Sequence, residues 1–164
     1  PTGGVNRTLI ALLPCALLIG CAEEVVFQED ARTPNGTWER GWDPSFSFEV
    51  SDTVSPHNVY LDIRHTGDYP FSNLYTFVDL QGPDGRSLTD TVECTLADPS
   101  GRWYGKGLGF INSDRFEAHV LYRMGNRFPR KGRYTLTLRQ AMRTEALPGV
   151  IDVGVSVEHV DPKR

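Results

Sequence analysis

Apolar and polar residues alternate one by one through most of the chain after residue 45. Phe46, Phe48 and Val50 are separated by Ser47 and Glu49. The same period of two recurs over residues 59–63, 116–124, 134–138 and 151–157. Successive side chains of a β-strand point to opposite faces of a sheet, so this pattern predicts strands with one buried face. The sequence offers no convincing long helical period, and we therefore predict an all-β domain.

Turn-forming residues separate these strands. Pro83-Asp84-Gly85 combines a fixed φ, an Asx-type hydrogen bond and a positive-φ position, which predicts a hairpin between strands 74–80 and 86–96. Residues 98–101 and 129–132 have similar turn chemistry. About eight strands of this kind predict a single-domain antiparallel β-sandwich, Ig-like or jelly-roll-like, over residues 46–160.

Two segments depart from simple alternation. Residues 74–80 are apolar on both sides, since Leu74 and Val78 are opposed by Tyr75 and Phe77. We expect this strand in the middle of a sheet, with cover on both faces. Residues 140–145 have room for one helical turn and no more.

An apolar run precedes a cysteine near the start of the sequence. The run covers residues 9–19, which is shorter than the roughly 20 apolar residues that a membrane-spanning helix needs. Leu18-Ile19-Gly20-Cys21 resembles the bacterial lipobox. We predict that residues 1–20 are a lipoprotein signal peptide and that Cys21 becomes the acylated amino terminus, with palmitate among its acyl chains. The lipid would make the membrane the first partner of the mature chain.

The stretch between the cysteine and the sandwich is predicted to be a tether. Over residues 21–45, Thr33-Pro34-Asn35-Gly36 and Trp42-Asp43-Pro44 interrupt regular structure. Val25-Val26-Phe27 could add an edge strand. Beyond the lipidated position the mature chain has one cysteine, Cys94, which alternates with Val92 and Leu96 and is predicted to be a buried, inert thiol.

Charge and motif content argue against several functions. The chain carries 17 cationic and 21 anionic side chains without long runs of either sign, so no nucleic-acid partner is expected. We find no Gly-x-Ser-x-Gly elbow and no phosphate loop, and we predict no catalytic residue and no cofactor. The four histidines lack the spacing of metal ligands and are predicted to lie at the surface or at strand ends: His57, His65, His119 and His159.

Two loop segments, residues 65–73 and 101–110, are rich in aromatic residues and glycine. Their aromatic side chains could close one end of the core, which is the interpretation that burial tendencies favour. Alternatively, the two segments form a patch that binds a protein or a glycan. The residues proposed for this patch are Asp68, Tyr69, Phe71, Arg102, Trp103, Tyr104 and Lys106.

The order of short motifs along the chain carries a family resemblance. They are Ser51-Asp52-Thr53, Asn58-Val59-Tyr60-Leu61, Asp68-Tyr69-Pro70, Pro83-Asp84-Gly85, Leu96-Ala97-Asp98-Pro99-Ser100-Gly101, Gly105-Lys106-Gly107 and Gln140-Ala141-Met142-Arg143. In this order they resemble the GldH-type gliding-motility lipoproteins of the Bacteroidota. The resemblance implies a cell-envelope lipoprotein tied to gliding and to the type 9 secretion system, without catalytic residues, and acylated at Cys21.

The leading hypothesis is therefore a non-enzymatic accessory of the gliding or secretion machinery that acts by protein contact. A carbohydrate-binding lipoprotein is the alternative, with sugars stacked on Trp42, Tyr69 or Trp103. A hydrolase is the third hypothesis. We expect an outer-membrane location, and the sequence leaves open whether the domain faces the periplasm or the cell surface.

Overall fold

A computed structural model describes residues 24–105 and 114–160, and in these ranges the chain forms ten strands and one short 3-10 turn at Pro34–Gly36. The strands are β1 Glu24–Arg32, β2 Thr37–Glu39, β3 Ser45–Val50, β4 His57–Thr66, β5 Asn73–Gln81, β6 Ser87–Thr95, β7 Arg115–Asn126, β8 Gly132–Gln140, β9 Ala146–Pro148 and β10 Val150–His159. Within those ranges, no helix is long and apolar enough to cross a bilayer.

Two four-stranded antiparallel sheets make up the body of the domain. The first has the order β1-β10-β4-β7 and the second the order β3-β8-β5-β6, while β2 and β9 form a small separate ribbon. Inward side chains of both sheets join in one apolar core. The prediction of an antiparallel β-sandwich is confirmed.

Alternation of buried and exposed residues builds this core. Phe46, Phe48 and Val50 of β3 are buried while their neighbours along the strand are exposed. Leu61 and Ile63 of β4 face them from the first sheet and are fully buried. Burial of apolar area at about 25 cal/mol per Å² is the main force that holds the two sheets together.

The strand β10 is buried on both faces, although its sequence predicted one solvated face. It lies between β1 and β4, and Val153 and Val155 point into the core. On the other face, Gly154 and Ser156 are also buried. A Cβ atom at Gly154 would clash with the Asp30 carboxylate and the Glu29 carbonyl, so the missing side chain is what allows β1 to pair this closely beside β10.

Near the end of β7, the side chains do not point to the predicted faces of the sheet. Ala118 points into the core as expected, but Met124 is 80% exposed. The pairing of β7 with β4 shifts register twice, between His57 and Val59 and between Val59 and Tyr60. Extra residues at such bulges turn the following side chains to the other face, which explains why Met124 points outward.

The strand β5 lies inside its sheet, between β8 and β6, as predicted. The expected cover on its outer face is wrong, because Tyr75 is 37% exposed. The hairpin to β6 forms at the predicted turn, where the Gly82 N–H donates to the Arg86 carbonyl at 2.9 Å. Residues 142–145 form bends instead of a helical turn, since the Gln140 side chain donates to the Thr144 carbonyl at 3.0 Å.

Most of the predicted tether belongs to the folded body. The edge strand β1 is longer than the three residues expected, and the 3-10 turn at Pro34–Gly36 leads directly into β2. Trp38 of β2 is fully buried in the core, and its indole N–H donates to the Trp42 carbonyl at 2.9 Å. Pro34 and Gly36 form a tight connection between packed strands, and this segment is part of the folded domain.

Replacing Trp38 with alanine tests this assignment. Removing a fully buried indole should lower the free energy of unfolding by about 3–5 kcal/mol. Urea titration followed by circular dichroism measures this change, with Val54→Ala as an exposed control expected to leave stability nearly unchanged. A W38A protein as stable as the control would contradict this assignment and would support the prediction of a loose tether over residues 21–45.

Candidate interaction surfaces

The strand register gives the sandwich two distinct ends. Across the first sheet, Glu24 pairs with His159, His159 with His57, and His57 with Asn126. We call this the Glu24 end. The other end carries the loops that follow β4 and β6, and we call it the Tyr104 end. A ten-residue strand such as β4 spans about 34 Å between them.

The predicted partner patch lies at the Tyr104 end, but Tyr69 belongs to the core. Its ring is fully buried, and its hydroxyl donates to the Asn73 carbonyl at 3.0 Å. Burial raises the pKa of the Tyr69 phenol well above its usual value. The side chain therefore closes this end of the core and is not available to a partner.

Trp103 also closes the core from this end. Its ring is half-buried, 4.6 Å from the His65 ring and 6.0 Å from the Phe116 ring, centroid to centroid. His65 is itself fully buried, and this burial lowers its pKa. His65 lies at the end of β4, as one of the two predicted positions, but it is not at the surface, because aromatic rings pack around it.

The remaining described residues of the patch are accessible to different degrees. Asp68 and Arg102 are exposed, Tyr104 is 46% exposed, and Phe71 is half-buried against Tyr69. Lys106 lies outside the described residues, as do Cys21 and the predicted signal peptide. Of the residues proposed for the patch, Asp68, Phe71, Arg102 and Tyr104 are therefore the described ones that remain at least partly accessible.

A tight turn holds Arg102 in this patch. The Asp98 carboxylate accepts hydrogen bonds from the backbone N–H groups of Ser100 and Arg102 and pairs with the Arg102 guanidinium at 2.9 Å. The hydrogen bonds from Ser100 and Arg102 lower the pKa of Asp98 to about 2. This confirms the turn role that the sequence suggests for Asp98.

A polar cluster on the outer face of the first sheet was not predicted from sequence. At its centre, the buried carboxylate of Asp62 accepts hydrogen bonds from His119 Nδ1 at 2.5 Å and from the Ser156 hydroxyl. The Tyr60 ring stacks on the His119 ring with centroids 3.8 Å apart. The bond to Asp62 raises the pKa of His119.

Ion pairs extend this cluster along the same face. Arg64 Nη1 lies 2.9 Å from Asp152 Oδ2, and Arg64 Nη2 lies 3.6 Å from Glu117 Oε2. Burial raises the pKa of Asp30, and the nearby charge of Asp62 adds to the effect. The cluster joins β1, β4, β7 and β10 through side chains as well as through the backbone ladder.

The geometry of this cluster does not match a catalytic triad or a metal centre. Ser156 is bonded to Asp62 instead of His119, so the contact between nucleophile and base that activates a serine is missing here. Among the described residues, no group of three or more His, Cys, Asp or Glu side chains could hold a metal ion. Cys94 is fully buried, as predicted, and burial raises the pKa of its thiol to about 12.

Fold and surfaces together define a β-sandwich domain with a mostly apolar core and a polar layer on one sheet. The chain matches the family model described as GldH lipoprotein over residues 25–157. It therefore belongs to the GldH lipoprotein family, which confirms the resemblance seen in its motifs.

Two relatives are similar along most of their length. The gliding motility lipoprotein GldH of Flavobacterium johnsoniae is 31% identical over 164 residues, covering 96% of this chain and 99% of the relative. A GldH homolog of Christiangramia forsetii is 28% identical over 131 residues, covering 76% of this chain and 78% of the relative. Among solved structures, a family GH115 glucuronidase shares 14% identity at a TM-score of 0.46, with 96% of this chain and 20% of that one covered, and this likeness carries no argument.

The variant Asp62→Asn tests the polar cluster. Loss of a buried, charge-assisted acceptor should lower the free energy of unfolding by about 1.5–3 kcal/mol. A raised histidine pKa contributes stability below the pKa of the unfolded chain and loses it as the pH rises through the folded value. The difference from wild type should therefore be largest at about pH 5 to 6 and shrink above neutrality.

Histidine NMR titration provides the matching readout, in which the pKa of His119 falls in D62N while that of His57 stays unchanged. An unchanged His119 titration in D62N would contradict the assignment of Asp62 as its partner.

Proposed function

We propose that this chain is a lipid-anchored accessory of the gliding-motility machinery and of the type 9 secretion system of its Bacteroidota host. In this proposal Cys21 is acylated and holds the domain at the outer membrane. The match to the GldH lipoprotein family over residues 25–157 is the observation that carries the proposal. Both curated relatives bear the name of a gliding motility lipoprotein.

The proposed mode of action is contact with other envelope proteins. The Glu24 end and the Tyr104 end lie at opposite ends of the strands, so a lipid at Cys21 would leave the Tyr104 end facing away from the bilayer. That end combines the exposed charges of Asp68 and Arg102 with the ring of Tyr104, on a turn held rigid by Asp98. Rigid aromatic and arginine side chains are the residue types that dominate protein interfaces.

We further propose that the chain has no enzymatic activity. The buried hydroxyl of Ser156 is committed to Asp62, and the Cys94 thiol is buried with a pKa of about 12. These are the wrong states for a serine or cysteine nucleophile at neutral pH. Both observations support a role through binding.

The carbohydrate-binding alternative gains no support from the aromatic side chains. Tyr69 is buried, and Trp42 and Trp103 are half-buried against the core. A flat platform for sugar rings needs exposed, coplanar aromatic faces. In the parts of the chain that the structure describes, the exposed aromatic residues are Tyr75 and Tyr104, which make no ring contact with each other.

Deleting the gene in a gliding host tests the proposal as a whole. We expect loss of colony spreading and of type 9 cargo export, both restored by the wild-type chain. Normal spreading and normal export in the deletion strain would overturn the proposal.

A pair of surface variants tests the Tyr104 end. Tyr104→Ser should fail to restore spreading fully, because it removes the exposed ring of the patch. Leu121→Ser is the matched control, since Leu121 is 44% exposed on the outer face of the first sheet and Tyr104 is 46% exposed. If both variants restore spreading equally, at equal protein levels on immunoblots, the Tyr104 end is not the contact surface.

A further inference from the structure

Exposed apolar side chains are concentrated at the Glu24 end. Of the eight large apolar side chains that are exposed among the described residues, five lie there: Val25, Val26, Val54, Leu88 and Met124. Val54 and Met124 are 78% and 80% exposed. The strand register places the first residues of β1 and the last residues of β7 at the two sides of this end. Apolar side chains this open to water mark a contact surface when they cluster.

The loops of the same end carry an excess of cations. Residues 51–56, 82–86 and 127–131 contain four cationic side chains, Arg86, Arg127, Arg130 and Lys131, against the two carboxylates of Asp52 and Asp84. The chain as a whole has a formal net charge of −4. The excess of cations belongs to these three loops, because the strand ends beside them carry the carboxylates of Glu24 and Glu49.

Contacts between the loops give this surface a defined shape. Arg127 Nε donates to the Val54 carbonyl at 3.0 Å, which ties the loop after β3 to the loop after β7. Arg130 Nε lies 3.2 Å from Asp84 Oδ2, which joins the third loop. Between β1 and the loop after β3, a hollow of about 160 Å³ has both apolar and polar walls, with Val26 and Phe128 on one part and Glu24, Glu49 and Asp52 on another.

The short stretch of chain between the proposed acylation site and the Glu24 end identifies the lipid bilayer as the partner of this surface. Three residues of chain lead from Cys21 to Glu24, and such a stretch reaches at most about 11 Å. A lipid on Cys21 would therefore hold the Glu24 end against the bilayer surface. Exposed valine and methionine side chains with surrounding arginine and lysine suit the boundary between anionic headgroups and acyl chains.

We infer that the Glu24 end is a membrane-docking surface for anionic phospholipids, with Val54 and Met124 as apolar contacts and Arg127, Arg130 and Lys131 as headgroup contacts. This inference rests on the proposed acylation of Cys21. It adds a fixed orientation to the anchored domain, in which the strands stand on the bilayer and the Tyr104 end points away from it.

Lipid quenching of a fluorophore tests this orientation on the full acylated chain. Single cysteines replace Val54, Met124 or, as control, Tyr104, and each is labelled with a nitrobenzoxadiazole dye; Cys94 is buried and does not compete. The protein is reconstituted in vesicles of phosphatidylethanolamine and phosphatidylglycerol with a spin-labelled lipid. We expect quenching at positions 54 and 124 to be several-fold stronger than at 104. Equal quenching at all three positions overturns the inference.

Charge reversal separates docking from simple tethering. Lys131→Glu should weaken quenching at position 54, since each cation near an anionic surface contributes about fivefold in membrane partition. Arg143→Glu, an exposed cation at the other end of the domain, is the matched control and should change nothing. Equal loss in both variants, or no loss in either, overturns the headgroup contacts.

Three further outcomes are distinguishable. Mass spectrometry of the same preparation reports acylation, and an unacylated Cys21 overturns the proposed anchoring as well as the orientation. An acylated chain without preferential quenching overturns the orientation alone. A label at position 54 that stays unquenched in vesicles but is shielded from a water-soluble quencher in envelope fragments assigns the surface to a protein partner and overturns the lipid assignment.

Discussion

The pairing of β1 with β10 is the contact on which the organisation of this domain depends. It adds an edge strand to the first sheet, encloses β10 between two neighbours and fixes Glu24 opposite His159. Gly154 makes the pairing tight, because any side chain there would collide with Asp30. Without this ladder, residues 24–32 would not be fixed to the sheet, and the domain would have no preferred end toward the proposed lipid anchor.

The same arrangement explains why a sheet face that is normally solvated carries a buried polar layer. Asp62 is taken out of water, and a buried carboxylate is stable only when hydrogen bonds replace its hydration. His119 and Ser156 supply those bonds from the strands on either side. These two hydrogen bonds tie β4, β7 and β10 together, which accounts for the tight geometry around Asp62.

Period-two alternation was sufficient to predict most strands, the β5–β6 hairpin and the sandwich class, because inward and outward facing is a local property of the backbone. The outward direction of the Met124 side chain and the burial of Asp152 were not predicted. Both depend on bulges and neighbouring strands, which are set by long-range register. The Asp62 cluster was missed for the same reason. Trp38 was missed because its strand has three residues, too few to show alternation.

In the proposed arrangement the two ends of the sandwich have opposite roles, with lipid at the Glu24 end and protein contact at the Tyr104 end. Polarised infrared spectroscopy of the acylated protein on a supported bilayer measures the direction of its strands most directly. We predict amide I dichroism of strands that stand close to the membrane normal. Strands lying in the plane of the bilayer would overturn the proposed orientation.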